Sequence, residues 1–279
     1  MSRVLVDGIG LQIEESGSGP PLLLLHGFTG TAATWNAQVA RLSASRRTIA
    51  VDLLGHGRSE APAEPHQYAL KRQAEGLARL LDQVGASPSA VLGYSMGARI
   101  ALTMAIEQPD SVRTLLLESP SAGIADAAER ARRSELDARL AADIERDGIV
   151  AFVDEWQAQP LFASHAALPE ATLDQLRDER LGQRPVGLAA SLRGGGQGSM
   201  PPLQALLWRV RCPSLVIAGA LDAVGLKRAH DVAAGIPDAR LEVIAGAGHT
   251  PHLERPDVFG RLLDSFLAST TDKHPQLRR

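Results

Sequence analysis

The residues Gly93-Tyr94-Ser95-Met96-Gly97 have the G-x-S-x-G pattern in which a serine can act as a nucleophile or a base. They follow the apolar run Ala90–Leu92 and precede a stretch with helical periodicity. Glycines permit a sharp turn between a strand and a helix, and such a turn projects the central side chain beyond the sheet. The pattern is common, and its place after a buried strand is what predicts a reactive Ser95.

A serine hydroxyl becomes reactive when an imidazole shares its proton and a carboxylate holds the imidazole in one tautomer. Two residues that come much later in the chain can supply this imidazole and this carboxylate. Asp222 follows the apolar run Leu215–Ala218, and His249 follows the apolar run Leu241–Ile244. The chain order Ser, Asp, His therefore predicts a catalytic triad of Ser95, Asp222 and His249.

Other residues compete for these roles. His252 lies close to His249, but the segment Gly246-Ala247-Gly248 favours His249 as the histidine in the turn after the strand. Glu118 ends another apolar run and is the alternative acid. Asp222 could also serve only as a helix cap.

Another candidate part of the active site follows the apolar run Leu22–Leu25, where His26, Gly27 and Phe28 open a loop. The backbone N–H groups of Phe28 and Met96 are predicted to form an oxyanion hole, a pair of donors for a developing negative charge. His26 is interpreted as a structural histidine, because chain order assigns the catalytic base elsewhere.

Short apolar runs bounded by turn residues predict the strands that position these side chains. They lie at Leu22–Leu25, Thr48–Val51, Ala90–Leu92, Thr114–Leu117, Leu215–Ala218 and Leu241–Ile244, and we expect them to be buried on both faces of a parallel sheet. Helical periodicity falls at about Thr34–Leu42, Tyr68–Val84, Met96–Glu107 and Val258–Leu267, and Val4 to Glu15 predicts an N-terminal hairpin. The alternation predicts a doubly wound, mostly parallel α/β fold.

The strand signal disappears between residues 124 and 204, where Arg, Glu and Ala are frequent and Pro160, Pro169 and Pro185 break the helical stretches. We predict that residues 124–204, the cap segment, form a helical cap inserted into a core of residues 1–123 and 205–279. The glycine-rich stretch 194–198 neither follows a strand nor opens a helix, so it does not predict a phosphate site. The tail after Ala268 is expected to be frayed.

Composition restricts the possible partners. The 279 residues carry a net charge of -3 without a long basic run, which argues against binding of nucleic acid or an acidic membrane. No signal sequence or membrane span is evident, so we expect a cytoplasmic protein with a small-molecule partner, as a monomer or weak homo-oligomer. Cys212 is the only cysteine, which excludes an intramolecular disulfide and a cysteine-based metal site.

Several segments resemble the α/β-hydrolase superfamily: His26–Gly30, Asp52–Ser59, Gly93–Arg99 and Gly248-His249. The cap segment is more specific. Leu117–Ile124, Glu129–Arg133, Phe152–Phe162, Arg177–Leu181 and Gly187–Gly194 resemble the 2-succinyl-6-hydroxy-2,4-cyclohexadiene-1-carboxylate synthase family of menaquinone biosynthesis. The likeness runs from about His26 to Leu267. Ala98 departs from it, because many members have a second glycine there.

The resemblance implies a lyase that eliminates pyruvate from 2-succinyl-5-enolpyruvyl-6-hydroxy-3-cyclohexene-1-carboxylate, with no metal or organic cofactor. It implies that Tyr94, Arg99, Arg133, Trp156 and Arg177 bind this tricarboxylate. Guanidinium groups suit such a ligand, because each can hold a carboxylate with two parallel hydrogen bonds.

Two other functions remain open at this point. The same triad could serve a hydrolase of an ester or carbon–carbon bond, and the fold could also serve a non-catalytic ligand receptor. Without the resemblance, Arg133 and Arg177 would more simply be solvated helix charges, and Trp156 a core residue. The sequence leaves open whether Arg193 also contacts the substrate.

Overall fold

A computed structural model describes residues 2–271, and its centre is an eight-stranded sheet. The strands are β1 (Ser2–Val6), β2 (Ile9–Ser16), β3 (Pro21–Leu25), β4 (Arg47–Val51), β5 (Ser89–Tyr94), β6 (Val112–Glu118), β7 (Ser214–Gly219) and β8 (Ala239–Ile244). Their order is β1-β2-β4-β3-β5-β6-β7-β8, and every pairing from β4 to β8 is parallel. The predicted fold class is confirmed.

The predicted N-terminal hairpin is formed by β1 and β2, which pair antiparallel with Val6 opposite Ile9. Asp7 and Gly8 connect them with φ angles of 52° and 80°. A two-residue hairpin turn of this hand needs positive φ at both positions, and Asp-Gly tolerates it well. Local turn chemistry therefore fixes the register of the first two strands.

Helices cover both faces of the sheet: α1 (Asn36–Leu42), α2 (Leu70–Gln83), α3 (Met96–Glu107), α7 (Ala223–Gly235), α8 (Pro251–Glu254) and α9 (Pro256–Thr271). Residues of α2, α3 and α7 share one hydrophobic cluster with Leu23 and Leu25 of β3. Residues of α1 and α9 share the other with Leu22 and Leu24. Alternate residues of β3 thus face opposite layers, as expected for a strand buried on both sides.

The structure differs from the sequence expectation at several elements. The first predicted helix begins as a 3-10 turn, Ala32–Trp35, and the second is preceded by another, Pro65–Tyr68. Helix α7 was not predicted. Burial of β8 on both faces was a wrong expectation, since β8 is the edge strand and its Val243 is 43% exposed. Helix α9 continues to Thr271, and the rest of the tail predicted to fray lies outside the described residues.

The described cap segment contains helices and no strand: α4 (Ala127–Gln157), the 3-10 segment Pro160–Ala167, α5 (Glu170–Leu181) and α6 (Pro185–Gly195). Helix α4 is interrupted at Gly148, whose φ of 81° is easily adopted by glycine. Helices α4 and α6 pack through a small apolar cluster that includes Ile144, Phe152 and Leu188. Division of the chain into a core and a cap domain stays a prediction.

Helix α6 lies directly on the loops of the sheet layer. A Cβ atom at Gly187 would lie 2.1 Å from the Gly55 carbonyl oxygen, and one at Gly194 would lie 1.7 Å from the Pro65 carbonyl oxygen. Glycine at these two positions permits this close backbone approach. Across residues 2–271, no helix has the length and apolar character needed to cross a membrane.

Candidate active site

The site lies at the carboxyl edge of the parallel strands. Strand β5 ends at Tyr94, which pairs with Glu118 at the end of β6. At the end of β7, Gly219 pairs with Ile244, the last residue of β8. Because these strands end together, the loops that follow them bring residues distant in sequence to the same place.

The turn between β5 and α3 holds Ser95 in a strained conformation with φ of 50° and ψ of -102°. A Cβ at Gly93 would lie 2.3 Å from the Gly97 carbonyl oxygen, and one at Gly97 would lie 2.2 Å from the Leu25 carbonyl oxygen. Both flanking glycines are therefore required by close backbone contacts. The predicted elbow is present, with Ser95 at its tip.

The structure brings the three residues of the predicted triad within hydrogen-bonding distance. His249 Nε2 lies 3.0 Å from Ser95 Oγ, and His249 Nδ1 lies 2.6 Å from Asp222 Oδ2. The side chains of His249 and Asp222 are only 11% and 9% exposed. This geometry allows Asp222 to orient the imidazole while His249 accepts the serine proton.

Asp222 uses its two carboxylate oxygens for two purposes. Oδ2 faces His249, whereas Oδ1 accepts a 2.8 Å hydrogen bond from the Gly225 N–H and caps α7. Burial favours a higher pKa for Asp222, but the hydrogen bonds from His249 and Gly225 outweigh it and lower the pKa. The two interpretations of Asp222, helix cap and triad acid, are both consistent with its contacts.

The alternative histidine and the alternative acid pair with each other. His252 Nδ1 lies 2.9 Å and 3.0 Å from the two carboxylate oxygens of Glu118, and the His252 backbone N–H donates to the same carboxylate. Both side chains are buried. The ring of Tyr94 packs between the two histidines, 5.6 Å from His249 and 4.9 Å from His252 between ring centres. His252 and Glu118 therefore form a separate buried pair.

His26 has the contacts of a structural histidine. Its Nε2 accepts a 2.9 Å hydrogen bond from the Leu53 N–H, and its Nδ1 lies 2.7 Å from the Gly27 carbonyl oxygen. Complete burial lowers the pKa of His26 to about 4, against the opposing effect of the Gly27 carbonyl. A neutral imidazole, hydrogen-bonded at both ring nitrogens, therefore links the end of β3 to the loop after β4.

The residues of the predicted oxyanion hole line the same cavity as Ser95. Phe28 and Met96 both line the cavity that Ser95 faces, and Met96 is the first residue of α3. The first N–H groups of a helix have no acceptor within it. Among the described residues, no backbone or side-chain acceptor is bonded to the Phe28 or Met96 N–H. Both are available to a negatively charged oxygen.

Ser95 and His249 open onto a cavity of about 500 Å³ between the sheet edge and the cap segment. Aromatic side chains form part of its lining. Trp156 packs edge-to-face against Phe28 with 5.3 Å between ring centres, and Tyr94 and Phe162 complete this group. The volume and lining suit a small organic ligand that also carries polar groups.

Two of the predicted arginines lie in this cavity. Arg99 is 7% exposed and donates a 2.8 Å hydrogen bond to the Gly195 carbonyl oxygen, and burial lowers its pKa to about 10. Arg133 Nε donates a 2.8 Å hydrogen bond to buried Asp137. Both guanidinium groups keep further donors that can face a ligand.

Arg177 does not reach this cavity, which corrects the placement expected for it. It lines a separate pocket of about 460 Å³ and pairs with Asp154 at 2.5 Å. Arg180, nearly one turn further along α5, points inward instead, with its guanidinium carbon 5.1 Å from the ring centre of Phe162. Helical phase decides which arginine is buried. Arg193 pairs with Glu145 at 2.7 Å and is not among the cavity residues.

Ser119 and Arg228 are among the cavity residues that the sequence analysis did not single out. Ser119 follows β6 and donates a 2.9 Å hydrogen bond to the His249 carbonyl oxygen. This bond anchors residues 245–250, the histidine loop between β8 and α8. Arg228 lies on α7. The sequence signals for that helix are the N-cap residue Asp222 and a weak apolar periodicity. Within residues 2–271, no group of three or more His, Cys, Asp or Glu side chains could hold a metal ion.

Comparison with known proteins agrees with this arrangement. A model of the alpha/beta hydrolase fold matches residues 20–256. A Bacillus subtilis (strain 168) protein named putative 2-succinyl-6-hydroxy-2,4-cyclohexadiene-1-carboxylate synthase is 37% identical to 94% of this chain, over 96% of its own length. This chain belongs to that synthase family. The resemblance seen in the sequence is confirmed.

Other members of the synthase family are also similar to this chain over nearly its whole length. The synthase of Serratia proteamaculans (strain 568) is 30% identical over 90% of this chain and 94% of its own. A solved structure described as MenH from S. aureus has a TM-score of 0.89 and 32% identity, covering 94% of this chain and 98% of that one. Coverage this high includes the cap segment as well as the sheet.

Proposed function

We propose that this protein is a carbon–oxygen lyase that eliminates pyruvate from 2-succinyl-5-enolpyruvyl-6-hydroxy-3-cyclohexene-1-carboxylate. The product is 2-succinyl-6-hydroxy-2,4-cyclohexadiene-1-carboxylate, the compound that names the synthase family. The structural observation that carries the proposal is His249, bonded to both Ser95 and Asp222, in one cavity with Arg99 and Arg133.

The reaction requires a base and a place for negative charge. Substrate and product differ by a proton on the ring carbon that bears the succinyl group and by the carbon–oxygen bond to enolpyruvate. Ser95 removes the proton as its own proton passes to His249, and Asp222 stabilises the imidazolium that forms. The electron pair first rests on the oxygen of the adjacent ketone as an enolate.

The enolate oxygen is stabilised by the N–H groups of Phe28 and Met96, which line the same cavity as Ser95 and have no acceptor among the described residues. The electrons then return through the ring double bond and break the carbon–oxygen bond at the far side of the ring. Enolpyruvate leaves and becomes pyruvate by taking a proton on its methylene carbon. Arg99 and Arg133 bind carboxylates of the substrate and fix the ring against Ser95.

A pyruvate-release assay tests this proposal. Purified protein should release one pyruvate per ring product, and Ser95→Ala, His249→Ala or Asp222→Asn should each lower kcat by about 10²- to 10⁴-fold. Double variants should be little worse than single ones, because the three residues act as one unit. The matched control is His230→Ala on the exposed side of α7, which should keep normal activity. Normal turnover by His249→Ala would refute the triad.

The same contacts could serve hydrolysis of an ester or carbon–carbon bond, so the test must separate the two reactions. In oxygen-18 water, elimination adds no solvent oxygen to a newly formed carboxylate, and the ring product keeps its succinyl group. Label in a new carboxylate at early times, measured by mass spectrometry, would identify a hydrolase instead. Unlabelled pyruvate with an intact succinyl ring product supports the lyase.

A further inference from the structure

Arg228 is a cavity residue that belongs neither to the triad nor to the predicted carboxylate-binding arginines. It lies on α7, six residues after Asp222, and lines the same 500 Å³ cavity as Ser95 and His249. Its side chain is partly buried. In the part of the chain that the structure describes, its guanidinium makes no ion pair and no hydrogen bond.

The other arginines near the cavity are already engaged. Arg133 is paired with Asp137, Arg99 donates to a backbone carbonyl, and Arg193 is paired with Glu145. A guanidinium group has five N–H donors, and it loses free energy when it leaves water without acceptors. Arg228 therefore carries a cost in the free protein that its own contacts do not offset.

The surrounding charges add to this cost. Burial lowers the pKa of Arg228, Arg133 lowers it further, and the carboxylates of Asp222 and Glu129 compensate only in part. Arg133 and Arg228 also lower the pKa of Arg99. Three like charges thus lie in one cavity and repel one another.

Asp137 and Asp222, the carboxylates that line the cavity, do not pair with Arg228. Asp137 already accepts from Arg133 and from the Gly198 N–H, at 2.8 Å and 3.1 Å. Asp222 already accepts from Gly225 and faces His249. A ligand with one carboxylate would pair with one guanidinium, whereas a ligand with several carboxylates can pair with all three arginines.

We propose that Arg228 binds a substrate carboxylate and makes the cavity selective for ligands that carry more than one carboxylate. This inference rests on the proposed function for the identity of the substrate, whose three carboxylates exceed what Arg99 and Arg133 can hold in bidentate pairs. Arg228 then belongs to substrate recognition, and it reaches the cavity from α7, the helix that Asp222 caps, whereas Arg133 reaches it from α4.

Direct binding tests the inference without any turnover. Tricarballylate, a tricarboxylate, and butyrate, a monocarboxylate, are titrated by calorimetry into the wild type, Arg228→Gln, Arg228→Lys and Lys227→Ala. The wild type should bind tricarballylate at least tenfold more tightly than butyrate. Arg228→Gln should lose about tenfold or more of the tricarballylate affinity, and Arg228→Lys should keep part of it, because an ammonium keeps charge without the fork.

Lys227→Ala is the matched control, since it removes the same charge from the adjacent position of α7. Lys227 is 80% exposed and pairs with Asp231, outside the cavity. Its variant should bind both acids as the wild type does. Equal tricarballylate binding by Arg228→Gln and the wild type, or equal loss in Lys227→Ala, would overturn the inference.

Thermal melts separate a binding role from a structural one. An arginine that holds the fold together lowers the melting temperature when it is replaced. Arg228→Gln instead removes an unpaired, partly buried charge, so its melting temperature without ligand should equal or exceed that of the wild type, while stabilisation by tricarballylate shrinks. A lowered melting temperature with unchanged ligand stabilisation would assign Arg228 to structure.

The two proposals fail separately. If the wild type releases pyruvate but Arg228→Gln binds and turns over normally, the inference is wrong and the proposed function stands. If tricarballylate binds through Arg228 but no pyruvate appears, the proposed function is wrong and the multivalent acid site stands.

Discussion

At the scale of single residues, partners decide what each histidine can do. His249 reaches a serine on one side and Asp222 on the other, whereas His252 pairs with Glu118 and packs against aromatic rings. His26 is bonded to the backbone at both ring nitrogens. The chain order of Ser95, Asp222 and His249 predicted this assignment, because strand ends in a parallel sheet must meet at one edge.

The resemblance implies substrate binding by both Arg133 and Arg177, but the structure places them in different pockets. Their variants should therefore differ. Arg133→Ala should lower kcat/KM about ten- to a hundredfold, the loss expected for one charge-assisted carboxylate contact of about 1.5–3 kcal/mol. Arg177→Ala should change kcat/KM little, since Arg177 lies outside the cavity and pairs with Asp154. Steady-state kinetics of both variants decide it. A larger loss in Arg177→Ala than in Arg133→Ala would contradict this reading of the cavity.

At the scale of elements, the sequence predicted the strands whose burial on both faces requires a continuous apolar run. Continuous apolar runs such as Leu22–Leu25 arise because a central strand is covered on both faces, so they are visible without a structure. Helix α7 was missed because two exposed apolar residues, Leu221 just before it and Val224 within it, weaken the apolar periodicity. The choice between Arg177 and Arg180 needed helical phase, which depends on how α5 packs.

The loop between β8 and α8 shows how one element holds His249. Glu254 accepts hydrogen bonds from the Gly248 N–H at 2.6 Å and the Thr250 N–H at 3.0 Å, on either side of His249. Thr250 Oγ1 also contacts Glu254, and His165 of the cap segment lies 2.7 Å from that hydroxyl. Glu254 is therefore a positioning residue that links the histidine loop to the cap segment.

Glu254→Gln tests this positioning role. A carboxamide offers one acceptor where the carboxylate offers two, so one backbone N–H near His249 should lose its partner. We expect kcat to fall about tenfold with KM nearly unchanged, because the substrate contacts remain while the alignment of Ser95 and His249 loosens. Glu135→Gln, at a 69% exposed position of α4, is the matched control. A change in KM alone would point to substrate binding instead.

At the scale of the whole molecule, polar contacts join the cap segment to the sheet layer. Glu179 accepts from the backbone N–H and the hydroxyl of Thr31, both at 2.6 Å, and the Gln183 amide donates to the Thr29 carbonyl oxygen at 3.1 Å. Burial raises the pKa of Glu179 although these hydrogen bonds oppose it. The cavity is therefore bounded by two layers held together by hydrogen bonds as well as by apolar packing.

The buried histidines make the stability of the whole molecule depend on pH. Burial lowers the pKa of His26 to about 4, and burial together with the nearby His26 lowers that of His56 to about 3. The pKa of His165, a cap-segment residue that contacts Thr250 of the histidine loop, is lowered to about 4, again mainly by burial. In the unfolded chain these imidazoles take up protons near 6.5. The unfolded state therefore binds more protons below that pH, and acid favours unfolding.

We expect the free energy of unfolding to be highest above pH 6.5 and to fall as the pH drops from 6.5 towards 4. For His26 alone the loss is on the order of 3 kcal/mol, at about 1.4 kcal/mol per pKa unit. Urea unfolding at closely spaced pH values gives this slope. His26→Asn should start from a lower stability, since its bonds to Leu53 and Gly27 weaken, but its slope should fall by about one proton. The exposed His66→Gln is the control and should keep the wild-type slope. Equal slopes in His26→Asn and the wild type would mean that His26 is protonated in the folded protein, against its burial and its hydrogen bond from Leu53.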